Sequence, residues 1–298
     1  ILIPILLIPQ LILSGVVVKF DKLNPVIGNA ETVPLVGNIM ASRWAFEASM
    51  VSQFKDNDFE QGFYADDKIM ADADYKKIYY IPALETRLDF VNLNYKNPDP
   101  IIKKEVQNDL DLLKHELTEE LAFVAKTDFI SMDRFTVDSF DASVYNEVTN
   151  FLTTLKKFYG NRFNRADQEK DRKIIRLTNS ADKEKDFENF RNSRQNESIS
   201  ELVKNTMETN RVIEKDGKLI QKIFPIYKDP NPEHMVDFDA QFYMPSKHFL
   251  NAKIDTLFFN LGVVWSMTIL LVLTLYFEVL RKIIDGLGNI SNPLPKRM

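Results

Sequence analysis

Between Asp255 and Glu278 the chain carries no ionisable side chain. A helix over this run would be about 33 Å long at 1.5 Å per residue, enough to cross a hydrocarbon layer of about 30 Å. Any fold must therefore either bury this helix in a large core or present it to lipid. Thr256–Phe277 is read as a membrane span, with Tyr276 near one end, where an amphipathic ring suits the interface. Ile1–Val18 is a second uncharged run, with Gln10 and Ser14 its only polar side chains. Its helical length would be about 27 Å. Pro4 and Pro9 would break a soluble helix but are tolerated where neighbouring helices re-satisfy the backbone. A buried core helix is the competing reading. The chain opens at Ile1 inside this run, with no basic residue ahead of it, so it is read as a piece of a longer polypeptide without a secretory signal.

Charge sets the orientation. Arg281, Lys282, Lys296 and Arg297 follow the second span on a short tail, which favours the cytoplasm and places residues 19–255 on the other side. The formal net charge of −5 gives no basic field for nucleic acid. The absence of cysteine excludes disulfides, thiolate metal sites and a cysteine nucleophile.

The segment between the spans reads as mainly helical. Ile102, Val106, Leu110, Leu113, Leu117, Leu121 and Val124 recur every three or four residues, one stripe on a long helix. Val144, Val148, Phe151, Leu152, Leu155 and Phe158 form another over residues 141–159, so the two are expected to pair antiparallel. Asn161–Asn196 has few apolar residues and reads as a solvated helix or a loop. Asp216-Gly217, between short apolar pairs, marks a hairpin. In Val33–Phe54, Met40, Trp44, Ala48 and Val51 lie near one face. Arg43 and Glu47, four apart, read as a helix-surface pair. The segment suits a helix at the membrane edge or an amphipathic helix packed on the domain.

Catalytic signatures are missing. The sequence contains no G-x-x-x-x-G-K-[ST], G-x-G-x-x-G or G-x-S-x-G. His115, His234 and His248 belong to no H-E-x-x-H motif. Asp66, Asp67, Asp72 and Asp74 lack calcium-loop spacing and read as a solvated acidic helix start. Binding or transport fits better than catalysis.

Two short motifs resemble a known family. Leu13-Ser14-Gly15-Val16-Val17-Val18 resembles the end of the fifth membrane helix of G-subfamily ABC transporters. Ser42-Arg43-Trp44-Ala45-Phe46-Glu47-Ala48 resembles the segment those proteins place in their last external loop. The order and spacing are closest to bacterial members that fuse an ATP-binding domain to an ABC-2 type membrane domain. The resemblance covers residues 1–55 and 250–298; the roughly two hundred residues between depart from the family, whose loop is far shorter. It implies an ATPase domain upstream that holds ATP and magnesium, with no cofactor in this segment. It also implies a second transporter half as partner, in a homodimer, surrounding membrane lipid and an unidentified exported substrate, in the bacterial inner membrane. The family's apolar plug pair falls on Val16 and Val17, and its membrane-edge helix on Arg43, Trp44, Phe46 and Glu47.

The expected organisation is thus a truncated membrane helix over 1–19, a membrane-edge or re-entrant segment over 20–60, a mainly helical extracytoplasmic domain over 61–250, a second membrane helix over 255–280 and a cytoplasmic tail over 281–298. A transmembrane sensor and a membrane-anchored scaffold share this outline. An ATP-binding motif upstream would separate the exporter from both.

Overall fold

The computed structural model describes residues 2–15, 20, 32–124, 132–232, 234–235, 237–238, 240–279 and 281–282. It is mainly α, with 69% helix. The chain divides into two compact units. A central unit holds residues 51–229 and 243–245, and a terminal unit holds 1–50, 230–242 and 246–298.

The central unit is organised on one long helical stem. Helix α4 (Glu60–Tyr75) passes through a π-helical segment (Lys76–Tyr80) into α5 (Ile81–Asn94). The π turn ends two residues before Pro82, which has no N–H to donate and whose ring crowds the carbonyl four residues back, inside that turn. Two further helices lie along this stem. Helix α6 (Pro100–Phe123) starts where Asp99 Oδ1 accepts from the Ile101 N–H at 2.8 Å, with Pro100 at the first position. Helix α7 (Ala142–Leu177) starts where Asp141 accepts from the Ser143 and Val144 N–H groups.

Side-chain pairs fix both registers. Lys76 meets Glu120, Tyr80 meets Glu116 and Arg87 meets Asp109, so α6 runs antiparallel to the stem. Asp66 meets Lys173, Asp67 meets Lys170, Asp72 meets Arg162 and Asp89 meets Tyr145, so α7 does too. The expected antiparallel pairing of the two stripes is therefore not what forms: both helices run opposite to the stem and so parallel to each other, and they share a core without pairing directly. Both pack mainly on the stem, and α6 meets α7 through long side chains such as Tyr159 on Glu120 and Phe123 on Phe158. Leu84, Leu88, Val106, Leu110, Leu113, Val148, Leu152 and Leu155 close the shared core, each at most 1% exposed.

Helix α7 continues eighteen residues past Tyr159, where the sequence offers no stripe. Its last turns are held by the lysines and arginine that bond the stem's aspartates. These aspartates sit inside a helix and are paired across it, so they are not a solvated helix start. The polar stretch up to Asn196 continues as α8 (Ala181–Arg194), whose Phe187 and Phe190 pack against Phe59 and Phe63. It is helical, not a loop. Helix α9 (Glu197–Lys204), capped by Asn196, precedes the antiparallel hairpin β1 (Val212–Lys215) and β2 (Lys218–Gln221). Asp216 and Gly217 both have positive φ at its turn, as a two-residue loop of this twist requires.

The terminal unit contains α1 (Leu2–Ile12), α2 (Leu35–Asn38), most of α3 (Ala41–Lys55), the hairpin β3 (Ser246–Phe249) and β4 (Ala252–Asp255), and α10 (Thr256–Tyr276). Helix α1 spans about 16 Å and ends in a turn at Leu13–Gly15. The described helix is thus shorter than the expected span over 1–19. Helix α10 has 21 residues and is, among the described residues, the one helix long and apolar enough to cross a membrane. Only Thr256 and Asn260 of it are buried, and Trp265 and Leu275 are 66% and 78% exposed.

Candidate functional site

The residues singled out on α3 converge at the foot of α10. Arg43, Trp44, Glu47 and Ala48 fall on its buried face, while Phe46 is half-buried and stacks on Phe242. Arg43 and Glu47 do form the expected i,i+4 pair, at 3.4 Å, but not on the helix surface: their side chains are 2% and 0% exposed. The correction has a physical cause, since an ion pair in the interior persists only where further partners satisfy it. Lys247 Nζ, on β3, donates to Glu47 Oε1 at 2.7 Å and is itself fully buried. Asn260 Nδ2, on α10, donates to Glu47 Oε2 at 2.9 Å and to the Trp44 carbonyl at 3.0 Å. Glu47 thereby joins α3, the hairpin and the apolar helix at one point.

Burial alone would raise the Glu47 pKa; Arg43, Lys247 and the hydrogen bonds from Lys247 and Asn260 outweigh it and hold the carboxyl below its ordinary range. The Arg43 guanidinium lies 3.8 Å from the centre of the Trp44 ring. The Trp44 Nε1–H donates to the Asn38 carbonyl at 2.8 Å, satisfying the end of α2. Phe259 and Phe238 flank the indole. Ser42 Oγ donates to the Gln10 carbonyl at 3.0 Å and ties α3 to α1.

Lys247 and Asn260 were not singled out from sequence. Asn260 is the one side-chain amide in the run and lies four residues from Thr256, which marks one helix face as facing protein. That signal was available. Lys247, two hundred residues from Glu47, carried none.

Val16 and Val17, the candidate plug, lie outside the described residues. The turn before them is described. Gly15 has φ +78°, and a Cβ there would come within 2.8 Å of the Phe20 and Phe242 rings, so both the conformation and the contact call for glycine. The described residues include no group of three or more His, Asp and Glu placed to hold a metal ion.

Its charges are paired and enclosed, an arrangement suited to positioning and load-bearing. Comparison with known families, curated proteins and solved structures finds no match.

Proposed function

We propose that this chain is the C-terminal part of the membrane subunit of an ATP-driven exporter of the ABC-2 type. One observation carries the reading. The segment that bears the family resemblance, Ser42–Ala48, forms a helix whose buried face is locked through Glu47 and Trp44 to the foot of an apolar, solvent-exposed helix of membrane-spanning length. A long, predominantly apolar helix left unburied supports a lipid environment.

In this reading α1 and α10 lie in the bacterial inner membrane, and the residues between them lie on the extracytoplasmic side, with α3 at the membrane edge. The tail from Arg281 is cytoplasmic. A second copy completes the translocation path. ATP and magnesium bind a separate domain upstream, as the family resemblance implies. Val16 and Val17 supply the apolar constriction that resists water and yields to a driven substrate.

The test uses the full-length polypeptide in proteoliposomes. Vanadate-sensitive ATP hydrolysis is expected, coupled to export. Replacing both Val16 and Val17 with alanine uncouples the two, so hydrolysis continues while export falls several-fold. An absence of ATP hydrolysis contradicts the exporter reading. Unchanged export and coupling in the double variant remove the plug assignment.

A further inference from the structure

We infer that Lys204 is a nucleophilic amine that captures small aldehydes as an imine. It is the last residue of α9 and lies in the central unit, as do all the groups around it named below. The inference therefore does not depend on the exporter reading.

Pairing sets this lysine apart. Lys68, Lys76, Lys170 and Lys173 each meet a carboxylate, those of Asp229, Glu120, Asp67 and Asp66. Among the described residues, no carboxylate comes within ion-pair distance of the Lys204 ammonium. It meets two rings instead, with Nζ 5.1 Å from the centre of Phe54 and 5.9 Å from that of Tyr227. Phe54 lies on the last turn of α3 and Tyr227 ends the short 3-10 turn Pro225–Tyr227, and both are buried. The backbone fixes the position. The Lys204 carbonyl accepts from the Phe224 N–H at 2.7 Å, and Asn205, left-handed at the end of the helix, donates through Nδ2 to the Lys222 carbonyl at 2.8 Å. The lysine is half-buried, so its surroundings strip it of water while a small reagent still reaches it.

Three charged groups act on the amine. Glu60 and Asp67, on α4, favour the ammonium, and Lys170, on α7, opposes it. Asp67 is already bonded to Lys170. Glu60 is 3% exposed, and burial pushes its own carboxyl upward. Ring faces attract an ammonium but do not replace the hydrogen bonds that its three donors make to water. Loss of hydration therefore prevails and holds the Lys204 amine below the ordinary lysine range. A lysine desolvated in this way is an activated nucleophile.

The reaction is balanced without a further reagent. The Nζ lone pair forms a C–N bond to the aldehyde carbon as the carbonyl π pair moves to oxygen. A proton passes from nitrogen to that oxygen, giving a carbinolamine. The hydroxyl then leaves with the second N–H proton as one water, and the imine remains; nothing is oxidised or reduced. The unprotonated imine carries no charge, which suits the two rings better than an ammonium does.

The experiment exposes the protein in phosphatidylcholine nanodiscs briefly to glycolaldehyde, traps each imine with borohydride, and reads the extent at every lysine by peptide mass spectrometry. At pH 7 an ordinary exposed lysine is neutral to less than about 0.1%. Lys204 is expected to react at least tenfold faster there than Lys103 and Lys114, which are exposed on α6. The advantage should vanish at about pH 11, where ordinary lysines are also neutral, and in urea, where the surroundings are lost. Equal or slower reaction of Lys204 at pH 7, or an advantage that persists at about pH 11 or in urea, overturns the assignment.

Discussion

Glu47→Gln is expected to destabilise the terminal unit by about 3–5 kcal/mol, because it removes the anion that the buried Arg43 and Lys247 share. The corresponding fall in Tm is on the order of 10 °C. Lys247→Met should do less damage, since it leaves Glu47 with Arg43 on one side and Asn260 on the other. That ranking is the diagnostic part, because a surface pair would lose at most about 1 kcal/mol from either change. The chain has two tryptophans, so a Trp265→Phe background makes Trp44 fluorescence a local probe of unfolding. The pH dependence has a definite sign. Glu47 titrates lower in the folded protein than unfolded, so its contribution is complete above the ordinary carboxylate range and disappears as pH falls through the lower, folded value. Acid destabilisation should therefore be shallower in Glu47→Gln than in the parent. Equal melting of all three proteins would mean that the brace does not bear load.

The second large effect is expected at Glu116. Its two oxygens accept from the Tyr80 hydroxyl at 2.9 Å and from the Leu219 N–H at 2.7 Å, joining the π segment, α6 and β2 in the interior. Burial first, and then the Glu116 and Glu120 charges, push the Tyr80 phenol far above its ordinary range, so it remains a donor at any physiological pH. Glu116→Ala leaves the part-buried Leu219 N–H without its acceptor and the buried Tyr80 hydroxyl with only the long 3.4 Å contact to the residue 116 carbonyl, at about 1–3 kcal/mol each. A combined loss of about 2–5 kcal/mol is expected in a chemical denaturation of the central unit. Glu214→Ala removes the solvent-exposed member of the Arg87 pairs and should change stability by less than about 1 kcal/mol. A Glu116→Ala loss no larger than that of Glu214→Ala would show that the network is not structural.

These two sites also mark how far the sequence could be read. The α6 stripe and the first half of α7 were legible, because apolar residues at helical spacing report a buried face without reference to any partner. The second half of α7 was not. Arg162, Lys170 and Lys173 look like solvated charges until Asp72, Asp67 and Asp66 are placed opposite them, and that pairing spans about a hundred residues of sequence. The same limit hid the brace. Arg43 and Glu47 have the spacing of a surface pair, and only Lys247 and Asn260 turn them into an interior one. The β3–β4 hairpin escaped because Leu250 and Asn251 hold its positive-φ turn, where an Asn-Gly or Asp-Gly pair would have announced it. The π segment has no sequence signature beyond Pro82 inside a helical pattern, and Pro82 alone would more simply have suggested a break.

The central claim is that the long middle of the chain lies outside the cell membrane while the basic tail lies within. The chain contains no cysteine, so single cysteines at Ser180 and Ser291 report each side cleanly, provided the remaining polypeptide is also made cysteine-free. In intact cells, with the inner membrane made accessible from outside, a membrane-impermeant thiol reagent should label Ser180→Cys and spare Ser291→Cys until the membrane is permeabilised. Labelling of Ser291→Cys alone would invert the topology and remove the exporter model. Labelling of both before permeabilisation would contradict a cytoplasmic tail and mean that α10 does not cross.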